Sequence, residues 1–245
     1  MTPEPATLCL GCWQNLHMPI ALRGPFSVPF RVFGIKPSRM NPNTCTLCEM
    51  AFSRIMKARA ITIDATIMFA DLRGYTTLTQ IIRQEALSSL LDAFYDDCAA
   101  AIWHHDGLLN KTIGDAVFAI FNFPVKQADH PVQAVLAARE IQKRFSSRRE
   151  ELLHAIGLGD EDVEIGVGIG IDSGETNFGE FGQAHRDLTA VGTVVNRAAR
   201  VQSAAQSGEI MVTATVRDRT GDMIVDGGSD HLLKGFRDPV TLFRA

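Results

Sequence analysis

The stretch from Gly107 to Phe121, GLLNKTIGDAVFAIF, allows few architectures. Two β-rich runs flank a tight turn at Ile113-Gly114, and strands joined by so short a turn pair antiparallel. The second run, residues 116–121, is apolar at every position and is therefore built for burial. The first run carries Lys111, four residues ahead of Asp115, with Gly114 between them. A cation and a carboxylate so placed read either as an ion pair closing the turn or as groups waiting for a ligand.

The rest of the chain supplies partners for this hairpin. ATIMFAD (65–71) is another apolar β-rich run, and it stops abruptly at Asp71. A long helical pattern follows, with a break expected near Gln84; Leu87, Leu90, Leu91, Phe94, Cys98 and Ile102 form its buried face. A second amphipathic helix begins near Asp129, a plausible cap, with Pro131 in its first turn. VEIGVGIGIDSGETNFGEFG reads as a Gly-rich strand pair and RDLTAVG as a further strand. TVVNRAARVQSAAQSG is a third helix stopping at Gly208, and short strands close the chain. Strands and helices mix without strict alternation. That order predicts an α+β fold, a ferredoxin-like sandwich with an antiparallel-rich sheet and its main helices on one face. At 46% hydrophobic and 21% charged residues, a chain of 245 residues can bury the core this needs.

Residues 1–48 differ in character. They hold most of the ten prolines and two C-x-x-C pairs, Cys9/Cys12 and Cys45/Cys48. They also carry Arg23, Arg31, Lys36 and Arg39 with no acidic residue after Glu4. This reads as a small loop-rich module, followed by a connecting helix over residues 49–62 (its apolar spacing starts at Thr46) and a main domain over 63–245. Four thiols in two pairs suit Zn2+, and an iron–sulfur cluster uses the same ligands; reduced structural cysteine turns are the plain alternative. The basic residues read as a solvated face or as a site for a regulatory partner. Cys98, alone on an apolar helix face, reads as a small core residue.

The net charge of -4 argues against a duplex nucleic acid as partner. No apolar run reaches the roughly 18 residues of a transmembrane helix, and the N-terminus lacks the pattern of a secretory signal. A cytoplasmic location is expected.

Four polar residues stand out. Asp71, ending a buried strand before LRGYTT, could hold a divalent cation that a phosphate at the following helix start bridges; taken alone, it more commonly reads as the cap of that helix. Asp115 sits in a matching context, between a Gly turn and an apolar strand, and is either a second metal carboxylate or a turn residue. Asn196 and Arg200 lie four apart on the third helix and share a face otherwise lined by small apolar residues. They form a nucleotide-binding pair or a solvent stripe.

Taken in order, FADLRGYTTL, KTIGDAVFAIF, GIGIDSGETNFGEFG and DLTAVGTVVNRAARV resemble the catalytic domain of class III nucleotidyl cyclases. The resemblance covers about residues 60–245 and leaves out 1–48. It implies that Asp71 and Asp115 hold two Mg2+ or Mn2+ ions, with the Leu72 carbonyl touching one. It implies that the backbone at Gly74, Tyr75 and Thr76 meets the phosphates and that Lys234 contacts the terminal ones. Lys111 and Thr189 match the base-reading positions, and Asn196 and Arg200 the transition-state pair. An Arg that some members carry on the central strand is replaced by Gly168.

For adenylate cyclases of this kind the reaction is attack of the ribose 3′-OH on the α-phosphate with loss of pyrophosphate, which asks the protein mainly for positioning and charge stabilisation. A lysine only donates, and adenine N1 accepts; a threonine hydroxyl accepts from the adenine 6-amino group. Lys111 with Thr189 therefore points to ATP, where guanylate cyclases place an acidic residue and a Cys. The family also implies a head-to-tail homodimer with sites built from both copies. The rivals are a guanylate cyclase, a diguanylate cyclase, whose acidic Gly-Gly hairpin is missing, and a nucleotide-sensing module driven by the cysteine site.

Overall fold

The computed structural model describes residues 6–48, 60–155, 157–159, 164–182 and 187–245. Most of the connecting helix expected over 49–62 lies outside these residues. Residues 46–48 are helical, while β1 (Ile61–Arg73) already includes residues 61 and 62, so those two belong to the sheet.

The sheet forms around β1. It is followed by α3 (Tyr75–Ile81) and α4 (Gln84–His104), then by the hairpin β2 (Leu108–Ile113) and β3 (Ala116–Phe121). Helix α5 (His130–Ala155) leads to β4 (Gly166–Phe181), β5 (Asp187–Val191) and α6 (Thr193–Ala204). The chain closes with β6 (Ile210–Thr213), α7 (Ala214–Arg219), β7 (Ser229–His231) and β8 (Val240–Arg244). Two short helices, α1 (Leu10–Leu16) and α2 (Val28–Val32), lie in the N-terminal module. The strands form one eight-stranded sheet in the order β2-β3-β1-β4-β6-β8-β7, with β5 added to β4. All pairings are antiparallel except β4 with β6. The expected antiparallel-rich α+β sandwich is the fold the chain adopts.

Three details differ from the sequence reading. The hairpin turn is Gly114-Asp115, one residue later than expected, because Ile113 still pairs with Ala116 and Gly114 takes a φ of 61°. The Gly-rich segment is one long strand and not a strand pair: its pairing with β1 runs unbroken from Gly166 to Phe178. The helices also occupy both faces of the sheet. Met68, Ala70, Val167, Ile169 and Ile171 pack with α4 and α5, whereas Ala65, Ile67, Phe118 and Ile120 pack with Val194 and Ala198 of α6. Glycines make this second face possible. A Cβ at Gly170 would lie 2.0 Å from the backbone nitrogen of Gln202, so α6 sits closer to β4 than any side chain would permit. Among the described residues no helix is long and apolar enough to cross a membrane.

Candidate active site

Strand pairing brings the two expected metal carboxylates to one end of the sheet. Asp71 stands opposite Ala116 of β3 and Gly168 of β4. The Leu72 N–H donates to the Asp115 carbonyl at 3.2 Å, tying the hairpin turn to β1. Burial, and next the charge of Asp115, push the Asp71 carboxyl above its usual range, with Arg73 opposing. A cation beside Asp71 would offset that cost, and oxygen donors of this kind suit Mg2+ or Mn2+. The residues present fit the divalent ions that the sequence reading expects.

Arg73 was not foreseen. Its Nη1 donates to Asp71 Oδ2 at 2.9 Å, and its Nε to the Ala205 carbonyl at 3.0 Å. Gly168 makes room for it, since a Cβ there would lie 2.5 Å from Arg73 Nε. Gly74 is needed for a related reason. It has a φ of 81°, and a Cβ would collide with the Glu164 carbonyl at 2.2 Å. It opens α3, placing Tyr75 and Thr76 in the first turn beside Asp71 in sequence.

The other end of the hairpin answers the question that Lys111 raised. Lys111 pairs with Asp187 of β5 and not with Asp115, because the turn carries Asp115 to Asp71 while Lys111 stays opposite Phe118. Asn110, the extra residue of a bulge in β2, donates to the Leu188 carbonyl at 3.0 Å and accepts from the Thr189 hydroxyl at 3.0 Å. Lys111 and Thr189 thus belong to one hydrogen-bonded constellation, joined through Asn110 and Asp187. Neither of those two was singled out from sequence. Both lie inside motifs that were, but only the approach of β5 to β2 shows their use.

Asn196 and Arg200 share the exposed line of α6, while Val194, Ala198 and Val201 are buried beneath. Arg197, between them, anchors the helix. Its Nε donates to Asp172 Oδ2 at 2.7 Å, and Thr213 donates to the other oxygen of the same carboxylate at 2.7 Å. Asp172 is fully buried, so this ion pair fixes where α6 sits. Lys234 is exposed in a turn between β7 and β8, and among the described residues no hydrogen bond or ion pair links it to the other candidates.

A model of the adenylate and guanylate cyclase catalytic domain matches residues 58–241. The chain belongs to that family. An adenylate cyclase of Anabaena cylindrica is 31% identical over 173 residues, covering 69% of this chain and 33% of that protein. The chain therefore spans about a third of this relative's length. The crystal structure of the adenylyl cyclase CyaB from P. aeruginosa is similar at a TM-score of 0.70 and 28% identity, over 76% of this chain and 95% of that one. The guanylyl cyclase Cya2 is almost as similar, at 0.69 and 27%, over 76% and 92%. Overall likeness does not separate the two nucleotides.

Beside the cyclase domain stand the four module cysteines, all free and buried. Their sulfur atoms lie within 4.8 Å of one another. Hydrogen bonds from Cys12, and then from Cys48 and Cys9, hold the Cys45 thiol well below its ordinary pKa. Cys48 is driven up by its bonds to Cys12, Cys45 and Cys9. A bound cation would let more than one of them ionise.

Proposed function

We propose that the chain is an adenylate cyclase, converting ATP to 3′,5′-cyclic AMP and pyrophosphate at sites shared by two copies. The observation that carries the choice of ATP is the constellation of Lys111 and Thr189. Lys111 offers N–H groups to adenine N1, and the Thr189 hydroxyl accepts from the 6-amino group. Guanine would set its own N1–H against the lysine.

Each remaining residue has a task in this reading. Mg2+ or Mn2+ ions held by Asp71, the Leu72 carbonyl and Asp115 would neutralise the triphosphate and make the ribose 3′-OH more acidic. Arg73 favours the ionised form of the Asp71 carboxylate, against burial and the charge of Asp115. The backbone of Gly74, Tyr75 and Thr76 cradles phosphate oxygens, and Lys234 reaches the terminal phosphates. Asn196 orients the ribose so that its 3′-oxygen faces the α-phosphorus in line with the leaving oxygen. Arg200 meets the charge that builds on the α-phosphate; an arginine in a related role is worth about 10³–10⁵ in rate. The 3′-oxygen–phosphorus bond forms, the bond to the β-phosphate breaks, and the 3′-hydroxyl proton leaves to solvent.

Asn196 and Arg200 project from an exposed helix face, which supports their serving a nucleotide held on the metal aspartates of a second copy. Each copy would contribute both halves, giving two equivalent sites in a head-to-tail dimer. The test is turnover of ATP and GTP, side by side, with Mg2+ and Mn2+. Silence with both metals overturns the reading, and so does activity per chain that survives dilution to monomer.

A further inference from the structure

The module has almost no core of its own. Among the described residues its apolar cluster is Ile20, Leu22 and the four cysteines, with Phe30, Ile35 and Leu47 half-buried against it. So small a segment cannot be held by burial alone, and a metal is the usual substitute. The sulfur geometry says which kind. The sulfur atoms stand 3.5 Å apart for Cys9–Cys48, 3.5 Å for Cys12–Cys45, 3.1 Å for Cys12–Cys48 and 3.8 Å for Cys45–Cys48. Four thiolates about 2.3 Å from one zinc, at tetrahedral corners, stand about 3.8 Å apart. Thiolates on different irons of a cluster are spread by the cluster between them and do not converge on a single point. The distances are also far longer than the roughly 2.05 Å of a disulfide. The Cys12 N–H already points at Cys9 Sγ, at 3.3 Å, as it would toward a thiolate.

The same loop that supplies Cys45 grips the cyclase domain. The Met40 carbonyl accepts from the Leu109 N–H at 2.9 Å and from Trp103 Nε1 at 2.8 Å. Asn41, fully buried, donates to the Gly107 carbonyl at 3.1 Å, and Asn43 donates to Asp106 at 2.7 Å. The Leu10 N–H, beside Cys9, donates to the Asn43 carbonyl at 2.9 Å, so both cysteine pairs brace this loop. Its target is the edge strand of the sheet, β2, whose outer groups would otherwise lie open. Leu109 precedes the bulge at Asn110 and stands two residues before Lys111.

We propose that Cys9, Cys12, Cys45 and Cys48 bind one zinc ion, and that this ion holds the 40–43 loop against β2 and so fixes the strand that presents Lys111. The zinc site and the clasp stand on geometry alone; their effect on base choice rests on the function proposed above. Zinc binding converts thiols to thiolates with release of their protons, so affinity falls as pH falls.

The test uses the full chain, purified without added zinc, with metal measured by mass spectrometry and amide exchange followed at Leu109. One zinc per chain is expected, and stripping it should speed exchange at Leu109 at least tenfold. A paired Asn41→Ala, Asn43→Ala variant should keep its zinc yet show the faster exchange, which separates the clasp from simple unfolding of the module. Iron in place of zinc, disulfides, or metal-free protein with Leu109 equally protected would overturn the proposal. The metal and exchange readouts stand whether or not the protein turns over ATP. In an active enzyme, stripped protein should lose part of its preference for ATP over GTP while magnesium is held in excess.

Discussion

The guanidinium of Arg73 lies over Gly168, on the neighbouring strand, in space that any side chain at 168 would fill. Strand pairing places Asp71 opposite Gly168, so the arginine reaches back to the Asp71 carboxylate while also holding the Ala205 carbonyl beyond the end of α6.

Gly168→Ala should therefore destabilise the protein by about 1–3 kcal/mol through overpacking against Arg73. In an Arg73→Ala background the same change should cost much less. Urea denaturation of the four proteins measures the coupling, and equal costs in both backgrounds would refute the contact as the cause.

Asp71 carries a raised pKa because burial and Asp115 oppose its charge, so a divalent cation should relieve a strain present at neutral pH. Magnesium at about a hundred times its dissociation constant should stabilise the folded state by about 2.7 kcal/mol. For a chain of this size that is a rise in Tm of about 5–10 °C. Asp71→Asn should lose most of this increment. Thermal scans with and without magnesium read it without any assay of turnover.

Base choice should follow the Lys111 constellation. Lys111→Glu with Thr189→Cys should lower the ratio of kcat/KM for ATP over GTP by about 10²-fold or more, since unpaired buried polar groups carry penalties of a few kcal/mol. Asn110→Ala should lower it less, acting only through the position of Thr189. An unchanged ratio in the double variant would show that the base is read elsewhere.

His130, almost fully buried, should make stability depend on pH. Arg219 donates to its Nε2 at 2.8 Å, so the proton sits on Nδ1, facing Thr66 Oγ1 at 2.7 Å. Burial, and then the Arg219 charge, lower its pKa, with Asp64 opposing. A histidine with a lowered folded pKa takes up a proton on unfolding. Its contribution is complete above the unfolded value near 6.5 and is lost as pH falls below that. The urea midpoint should drop between about pH 7.5 and about pH 5.5, and by less in His130→Gln. Equal slopes would remove His130 as the source.

Much of the molecule was legible from local pattern. The apolar runs around Asp71 and after Asp115, the helix periodicities and the ordered motifs announced an antiparallel-rich sandwich and the candidate residues on it. The breaks that were misplaced share a cause. Glycine lowers the strand signal, so β4 looked like two strands, and a tight turn can slide by one residue without changing the apolar pattern on either side.

What residues lie in each motif is written in the chain; which of them meet is not. Lys111 and Asp115 are four apart in sequence, yet the turn sends one to Asp187, 76 residues away, and the other to Asp71. The alternating glycines at 166, 168 and 170 are plain in the sequence, but their purpose appears only when Ser207, Arg73 and Gln202 of α6 occupy the space they leave. The two cysteine pairs announce a ligand set by spacing alone, whereas the choice between one ion and a cluster waits on four sulfurs converging within 4.8 Å. Pattern along a chain reports burial and local conformation. Contacts between distant strands depend on register and close packing, and those are settled only when the whole sheet has formed.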